Sequence, residues 1–284
     1  MLNGFREFLR DLRRVPTIRR PSRPKGRDRR RGEYPSAIEA LESRTLLTSA
    51  VVPFAMSEVV STAPEGPVGA DVADFDADGD TDLLVPSFGS VSWLPLEGGS
   101  FGDAIPVAAV GADAALAGDL DGDGSQDVIV AETGVGLAWY PNNGSGTFGA
   151  RQMIVDLPGV SQGTLGVSLA DIDGDGDLDA VANNQEVGEI TWYGNDGDGN
   201  FSTGGTLPFN VPYTFGLAFD DLDGDGDLDV AAANFPLNQV LWAANDGNGN
   251  FGMPQTVTSE LSGPFSVLAV DLDGDADKDL VSAS

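Results

Sequence analysis

At 284 residues the chain is long enough to bury a full core, and its 38 glycines and 17 prolines point to many turns rather than long helices. It has neither cysteine nor histidine, which excludes disulfide frameworks, thiolate zinc sites, cysteine nucleophiles and Ser-His-Asp triads together. Charge is split: 13 of the 15 basic residues lie in the first 44 beside six acidic ones, whereas residues 45–284 carry 39 acidic side chains and only Arg151 and Lys278 as cations. That body, at a net −37, repels nucleic acid and anionic lipid and cannot pair its own carboxylates, so an external cation is expected to do so.

Residues 1–50 read as a separate Arg-rich leader, expected to be largely disordered. Phe5, Phe8, Leu9 and Leu12 suit one face of a short helix, but Arg19–Arg31 is dense in Arg and Pro and has nothing to bury. A basic leader followed by the apolar Leu46–Met56 fits export, although Thr48, Ser49 and Pro53 interrupt that run. The alternatives are a leader with no role beyond solvation and a nucleic-acid-binding arm. Leu41-Glu42-Ser43-Arg44-Thr45-Leu46-Leu47 resembles the LExRxLL motif near the N-termini of large bacterial surface proteins, which implies an extracellular or cell-surface location. No apolar run reaches the roughly 18 residues that a membrane-spanning helix needs.

From residue 51 the chain is repetitive, and an Asp-rich loop recurs five times. Its copies are Asp74, Asp76, Asp78, Asp80 and Asp82; Asp119, Asp121, Asp123, Ser125 and Asp127; Asp171, Asp173, Asp175, Asp177 and Asp179; Asp221, Asp223, Asp225, Asp227 and Asp229; and Asp271, Asp273, Asp275, Asp277 and Asp279. These residues occupy places 1, 3, 5, 7 and 9, and place 6 is glycine in the first four loops. Oxygen-only ligands at that spacing around a forced turn are what a hard cation such as Ca²⁺ requires. Glycine serves at place 6 because a chain doubling back around an ion needs a conformation that a Cβ makes costly. Ala276 takes that place in the fifth loop, which therefore departs from the pattern.

A second signal keeps the same beat: Trp93 and Phe101, Trp139 and Phe148, Trp192 and Phe201, Trp242 and Phe251. Runs such as Asn195-Asp196-Gly197-Asp198-Gly199 between them read as hairpin turns. One unit then assembles as a strand over Gly166–Ile172, the loop, a strand over Leu178–Ala182, a third over Glu189–Tyr193 and a fourth from Phe201. Four short antiparallel strands per 45–52 residues make a propeller blade. The fold class is all-β, with blades at about 67–110, 111–162, 163–211 and 212–262 and a partial fifth over 263–284. A period of two sets Ile190 and Trp192 on one face and Thr191 and Tyr193 on the other, with the tryptophan expected to pack between blades.

The Asp loops, the Trp strands and the Phe-Gly pairs Phe101-Gly102, Phe148-Gly149 and Phe251-Gly252 resemble the FG-GAP/VCBS repeats, the calcium-loop β-propeller family that includes the head of integrin α chains. The resemblance covers residues 51–284 and implies a secreted or surface protein with recognition on its loop faces. It also implies up to five Ca²⁺, with side-chain oxygens from places 1, 3, 5 and 9 and a backbone carbonyl from place 7. An EF-hand does not fit: place 12 holds Val85, Val130, Ala182, Ala232 and Ser282 where a bidentate Glu is needed, and the flanks read as strands. Dockerin-type pairs likewise sit between helices. An ion-free acidic hairpin is the remaining alternative. Against it, two carboxylates about 4 Å apart repel by roughly 4 kcal/mol at an effective dielectric near 20.

Two functions follow. The first is a calcium-binding propeller that recognises a protein or glycan or holds shape in a larger surface assembly. The second is a carbohydrate-active enzyme, a polysaccharide lyase or hydrolase, which without histidine would need a carboxylate pair about 5–9.5 Å apart in a cleft. No acidic residue outside the loops stands out; Glu132, Glu186 and Glu189 are expected to be solvated charges. The non-enzymatic reading is preferred, with no nucleic-acid partner. Phe54–Thr62 aligns with the fourth-strand segments at Phe148 and Phe251, while the fifth unit stops after its second strand. An incomplete ring, part of a longer protein, is therefore expected.

Overall fold

In the computed structural model, residues 66–284 are described; the Arg-rich leader and Phe54–Thr62 lie outside the described residues. Four antiparallel sheets of four strands follow one another, each a simple meander, with no helix among the described residues. Blade one is Asp71–Ala73, Asp82–Pro86, Val91–Leu94 and Ile105–Ala108. Blade two is Ala112–Gly118, Asp127–Glu132, Gly136–Tyr140 and Gln152–Asp156. Blade three is Leu165–Ala170, Asp179–Asn184, Glu189–Asn195 and Phe201–Thr206, and blade four is Thr214–Asp220, Asp229–Asn234, Gln239–Ala243 and Gln255–Thr258. Ser266–Val270 and Asp279–Ala283 form a two-stranded fifth sheet. These are the blades of a β-propeller.

The core lies between the sheets, and that arrangement follows from the strand period. Along Asp127–Glu132 every residue is buried, because Val128 and Val130 face blade one while Ile129 and Ala131 face blade three. A strand buried on both faces reads as a continuous apolar run, as this one does. Trp93, Trp139 and Trp192 each sit with side chains of the following blade: Trp93 with Val128 and Val130, Trp139 with Ala180 and Ala182, Trp192 with Val230 and Ala232. The tyrosines next to two of them, Tyr140 and Tyr193, turn the other way and pack on the preceding blade. Adjacent residues of one strand thus tie three blades together.

The expected fourth strand is displaced in three blades. In blade three it starts at Phe201, as the repeat suggested. In blades two and four, Phe148 and Phe251 make single bridges to Asn142 and Asn245, and the strand proper starts at Gln152 and Gln255. In blade one Phe101 belongs to a two-residue hairpin with Leu96. The cause is the glycine of each Phe-Gly pair. The amides of Gly102, Gly149 and Gly252 donate back to Pro95, Pro141 and Ala244 at 2.7–2.8 Å, closing the hairpin before pairing resumes.

Candidate metal centres

Every Asp-rich loop joins the first strand of its sheet to the second, so all five share one end of the blades. Within each, the carboxylate at place 1 accepts the amide of place 6 at 3.0–3.1 Å, from Gly79, Gly124, Gly176, Gly226 and Ala276. The carboxylate at place 5 accepts the amide of place 7 at 2.7–3.1 Å. These bonds wrap the chain around a space that the carboxylates share. Ala276 adopts a φ of 77° and makes the same bond as its glycine counterparts, so the fifth loop closes like the others.

Each loop brings ligand oxygens of three aspartates within 4.8 Å of one another. Places 1 and 3 take part in all five: Asp74 and Asp76, Asp119 and Asp121, Asp171 and Asp173, Asp221 and Asp223, Asp271 and Asp273. The third member is place 5 in loops one and four (Asp78 and Asp225) and place 9 in loops two, three and five (Asp127, Asp179 and Asp279). The side chains of Asp80, Ser125, Asp177, Asp227 and Asp277 at place 7 belong to none of these groups, nor do those of Asp82, Asp123, Asp175, Asp229 and Asp275. One oxygen, Oδ1, of Asp119, Asp173 and Asp223 is buried with no hydrogen-bond partner. Such an atom is costly unless something charged meets it. Hard oxygen donors with orphaned lone pairs fit a divalent cation of the Ca²⁺ or Mg²⁺ class.

Place 9 has a second role. Asp82, Asp127, Asp179 and Asp229 are buried, and one oxygen of each accepts the amide of place 2 (Phe75, Leu120, Ile172, Leu222) at 2.8–3.1 Å. The other oxygen accepts the amide that opens the hairpin, from Leu96, Asn142, Asn195 or Asn245, at 2.7–2.9 Å. Burial pushes the carboxyls of Asp127, Asp179 and Asp229 up to about 6, and these amide bonds offset only part of that.

Three asparagines complete the connection, a role beyond the turn formation that their runs suggest. Asn195 Nδ2 donates to Leu178 O of its own loop at 3.2 Å and to Leu120 O of the preceding blade's loop at 2.9 Å. Asn142 bridges Gln126 O and Phe75 O in the same way, and Asn245 bridges Leu228 O and Ile172 O. Hairpin glycines seal the junction: a Cβ on Gly146, Gly199 or Gly249 would lie 2.2–2.4 Å from the indole of Trp93, Trp139 or Trp192 of the blade before. The available signal was that asparagine keeps the first place of all three runs while their next position changes among Asn143, Asp196 and Asp246.

Glu132 departs from expectation. It is 2% exposed, accepts the Tyr140 hydroxyl at 2.8 Å and receives Arg151 Nε at 2.7 Å. Arg151, one of two cations in a body of 39 acids, is what allows that carboxylate inside. Glu186 and Glu189 are exposed.

A model of the FG-GAP-like repeat matches residues 74–130, 119–182 and 221–282. The chain belongs to the FG-GAP-like repeat family. Each matched segment runs from the first aspartate of one loop into the second strand of the next blade. Two of them, 74–130 and 119–182, contain the loop pairs that the Asn142 and Asn195 clamps hold together. Among solved structures, this FG-GAP-like repeat protein is similar to an Agrocybe aegerita lectin described as recognising non-reducing terminal N-acetylglucosamine. The two are 25% identical with a TM-score of 0.51, over 67% of this chain and 52% of the lectin. The chain thus spans about half the length of that relative. It shares its fold with BBS1N in complex with ARL6DN at 14% identity and a TM-score of 0.51, covering 81% of this chain and 63% of that one. No curated protein sequence matches it. No helix among the described residues is long and apolar enough to cross a membrane.

Proposed function

We propose that this FG-GAP-like repeat chain is a calcium-binding recognition module that works outside the cell or at its surface, and that it is not an enzyme. The observation that carries this is the fivefold convergence of three aspartate oxygens, with buried unpartnered oxygens in three of the loops. Up to five Ca²⁺, one per loop, would be held by the aspartates at places 1, 3, 5 and 9, with place 7 lending its carbonyl. Extracellular calcium suits such loops, since affinities of only about 10⁻⁴–10⁻³ M fill sites there. The likeness to a glycan-recognising lectin supports recognition of a glycan or protein, and the LExRxLL-like segment supports export. Against catalysis, the one acidic side chain buried outside the loops among the described residues, Glu132, is held by Arg151 and Tyr140.

Thermal melts of the full chain in excess chelator, millimolar Ca²⁺ and millimolar Mg²⁺, with bound ions counted by mass spectrometry under native conditions, test the proposal. Filling the sites raises stability by mass action, about 2.7 kcal/mol per site at a hundredfold excess over Kd. A melting temperature at least 10 °C higher in Ca²⁺ than in chelator is expected, with three to five ions bound. Identical melts in all three conditions would remove the calcium assignment.

A further inference from the structure

The metal loops occupy one end of the blades, and the opposite end of blade four departs from the repeat. Eight residues before the first aspartate of a loop, blades one and three and the fifth sheet carry Gly66, Gly163 and Gly263, all with φ between 69° and 78°. Blade four has Tyr213 there, at a φ of 60°. Seventeen residues after that aspartate, blades two and three have Gly136 and Gly188, whereas blade four has Asn238 at a φ of 55°. Side chains are thus kept at two positions where glycine would relieve the backbone, and strain of that kind concentrates at binding sites.

Around them lies an aromatic cluster. Phe215 stacks on Phe265 of the next sheet with centroids 4.1 Å apart and planes at 16°. Phe235 stands edge-on to both, at 5.8 and 6.3 Å, and Tyr213 reaches Phe215 at 6.2 Å. Stacking with their neighbours does not cover these rings: Tyr213 is 49% exposed, Phe235 46% and Phe265 57%, with Leu237 beside them at 49%. Asn238 braces the loops by accepting the Gly263 amide at 2.8 Å, so rings from two sheets are held in one arrangement.

The charge pattern selects the occupant. In a body carrying 39 acids, the three segments that carry these rings, 207–219, 230–245 and 261–270, contain no charged residue. The neighbouring turn, whose Gln185 carbonyl accepts the Tyr213 amide, carries Glu186, and that carboxylate accepts the Ser161 amide at 3.3 Å. Anionic ligands meet a repulsive field, and a cation finds no carboxylate in these segments to complete its binding. What remains is a neutral group with a C–H face for the rings and hydroxyls for the Tyr213 hydroxyl and the Asn238 amide. That is the chemistry of a pyranose. We propose that Tyr213, Phe235 and Phe265, rimmed by Asn238, form a stacking platform for a neutral sugar. The platform rests on the recognition reading above and gives it a surface and a ligand class.

Binding of the calcium-loaded full chain to neutral gluco-, manno-, galacto- and N-acetylhexosamine oligosaccharides, beside polygalacturonate and heparin, tests it. At least one neutral oligosaccharide should bind and neither polyanion should. Tyr213→Gly restores the residue used by other blades, so it should melt no lower than the parent while weakening that binding at least tenfold; Phe235→Ala should weaken it similarly. Neutral-sugar binding unchanged in both variants would overturn the platform yet leave a recognition module standing. Failure of every neutral oligosaccharide, or binding of polyanions alone, would also overturn it. Loss of calcium dependence in the melts would count against the module itself.

Discussion

The carboxyl at place 9 has two demands on it, since it bolts the hairpin to the loop while belonging to a cluster of like charges. Without a cation, burial and the surrounding aspartates favour its protonated form, and Asp127, Asp179 and Asp229 titrate near 6 instead of 3.8. A folded-state value above the unfolded one means that the folded protein binds the extra proton. The resulting stability is fully present below about 4 and is lost as pH rises through 6. Asp196, held low by the Asn200 side chain, and Asp271, held low by the Gly274 amide, act in the opposite direction, but both are exposed to solvent and screened. The chelated protein should therefore melt at a lower temperature at pH 7 than at pH 4.5. In millimolar Ca²⁺ the order should invert, because the ion binds only the ionised form. Scanning calorimetry at the two pH values with and without calcium checks this; a chelated melting temperature that climbs from pH 4.5 to 7 contradicts it.

At the scale of the hairpin and its neighbour, two kinds of glycine separate cleanly. Gly176, at place 6 of the third loop, has nothing within 4 Å of where a Cβ would lie, and the fifth loop already carries alanine at this place. Gly176→Ala should cost only the left-handed backbone penalty of about 1–2 kcal/mol. Gly199 has the same kind of φ, but its Cβ would overlap the buried Trp139 indole, so Gly199→Ala should add about 1–3 kcal/mol of overpacking to that penalty. Urea unfolding in calcium measures both, and equal losses would mean that the hairpin does not seat on the tryptophan. The same contrast explains what could be read from the chain. Loop, Trp strand and hairpin each announce themselves within about 25 residues, by carboxylate spacing, alternation and Asn/Asp-Gly turns. The clamp does not, because the partners of Asn142 Nδ2 lie 16 and 67 residues away. Nor could Glu132 be placed, since its burial depends on Arg151, 19 residues on and just before the blade's fourth strand. The displaced fourth strands escaped because a Phe-Gly closure and a strand start have the same composition. Tyr213 looks ordinary until the glycines of its counterparts are known to have positive φ.

Across the molecule these clamps give coupling a direction. The hairpin of each blade holds its own loop and the loop before it: blade two's hairpin grips Phe75, blade three's grips Leu120 and blade four's grips Ile172. Sheets stacked in sequence share apolar clusters only with their neighbours, so disturbance should fade over one junction. Asp171→Ala removes the acceptor for the Gly174 and Gly176 amides and opens the third loop, which frees Ile172 from ordered geometry. The hairpin of blade three then loses its grip on Asp179, and that of blade four loses its anchor at Ile172. Blade two's hairpin, whose anchors are Phe75 and Gln126, keeps both. Hydrogen exchange on the calcium-loaded variant should accordingly rise by tenfold or more at 171–179, at 195–201 and at 245–251, and stay near the parent's level at 142–148. Equal acceleration in every blade, or acceleration at 142–148 without any at 245–251, would refute a chain of one-way clamps and point to a core that responds as a whole.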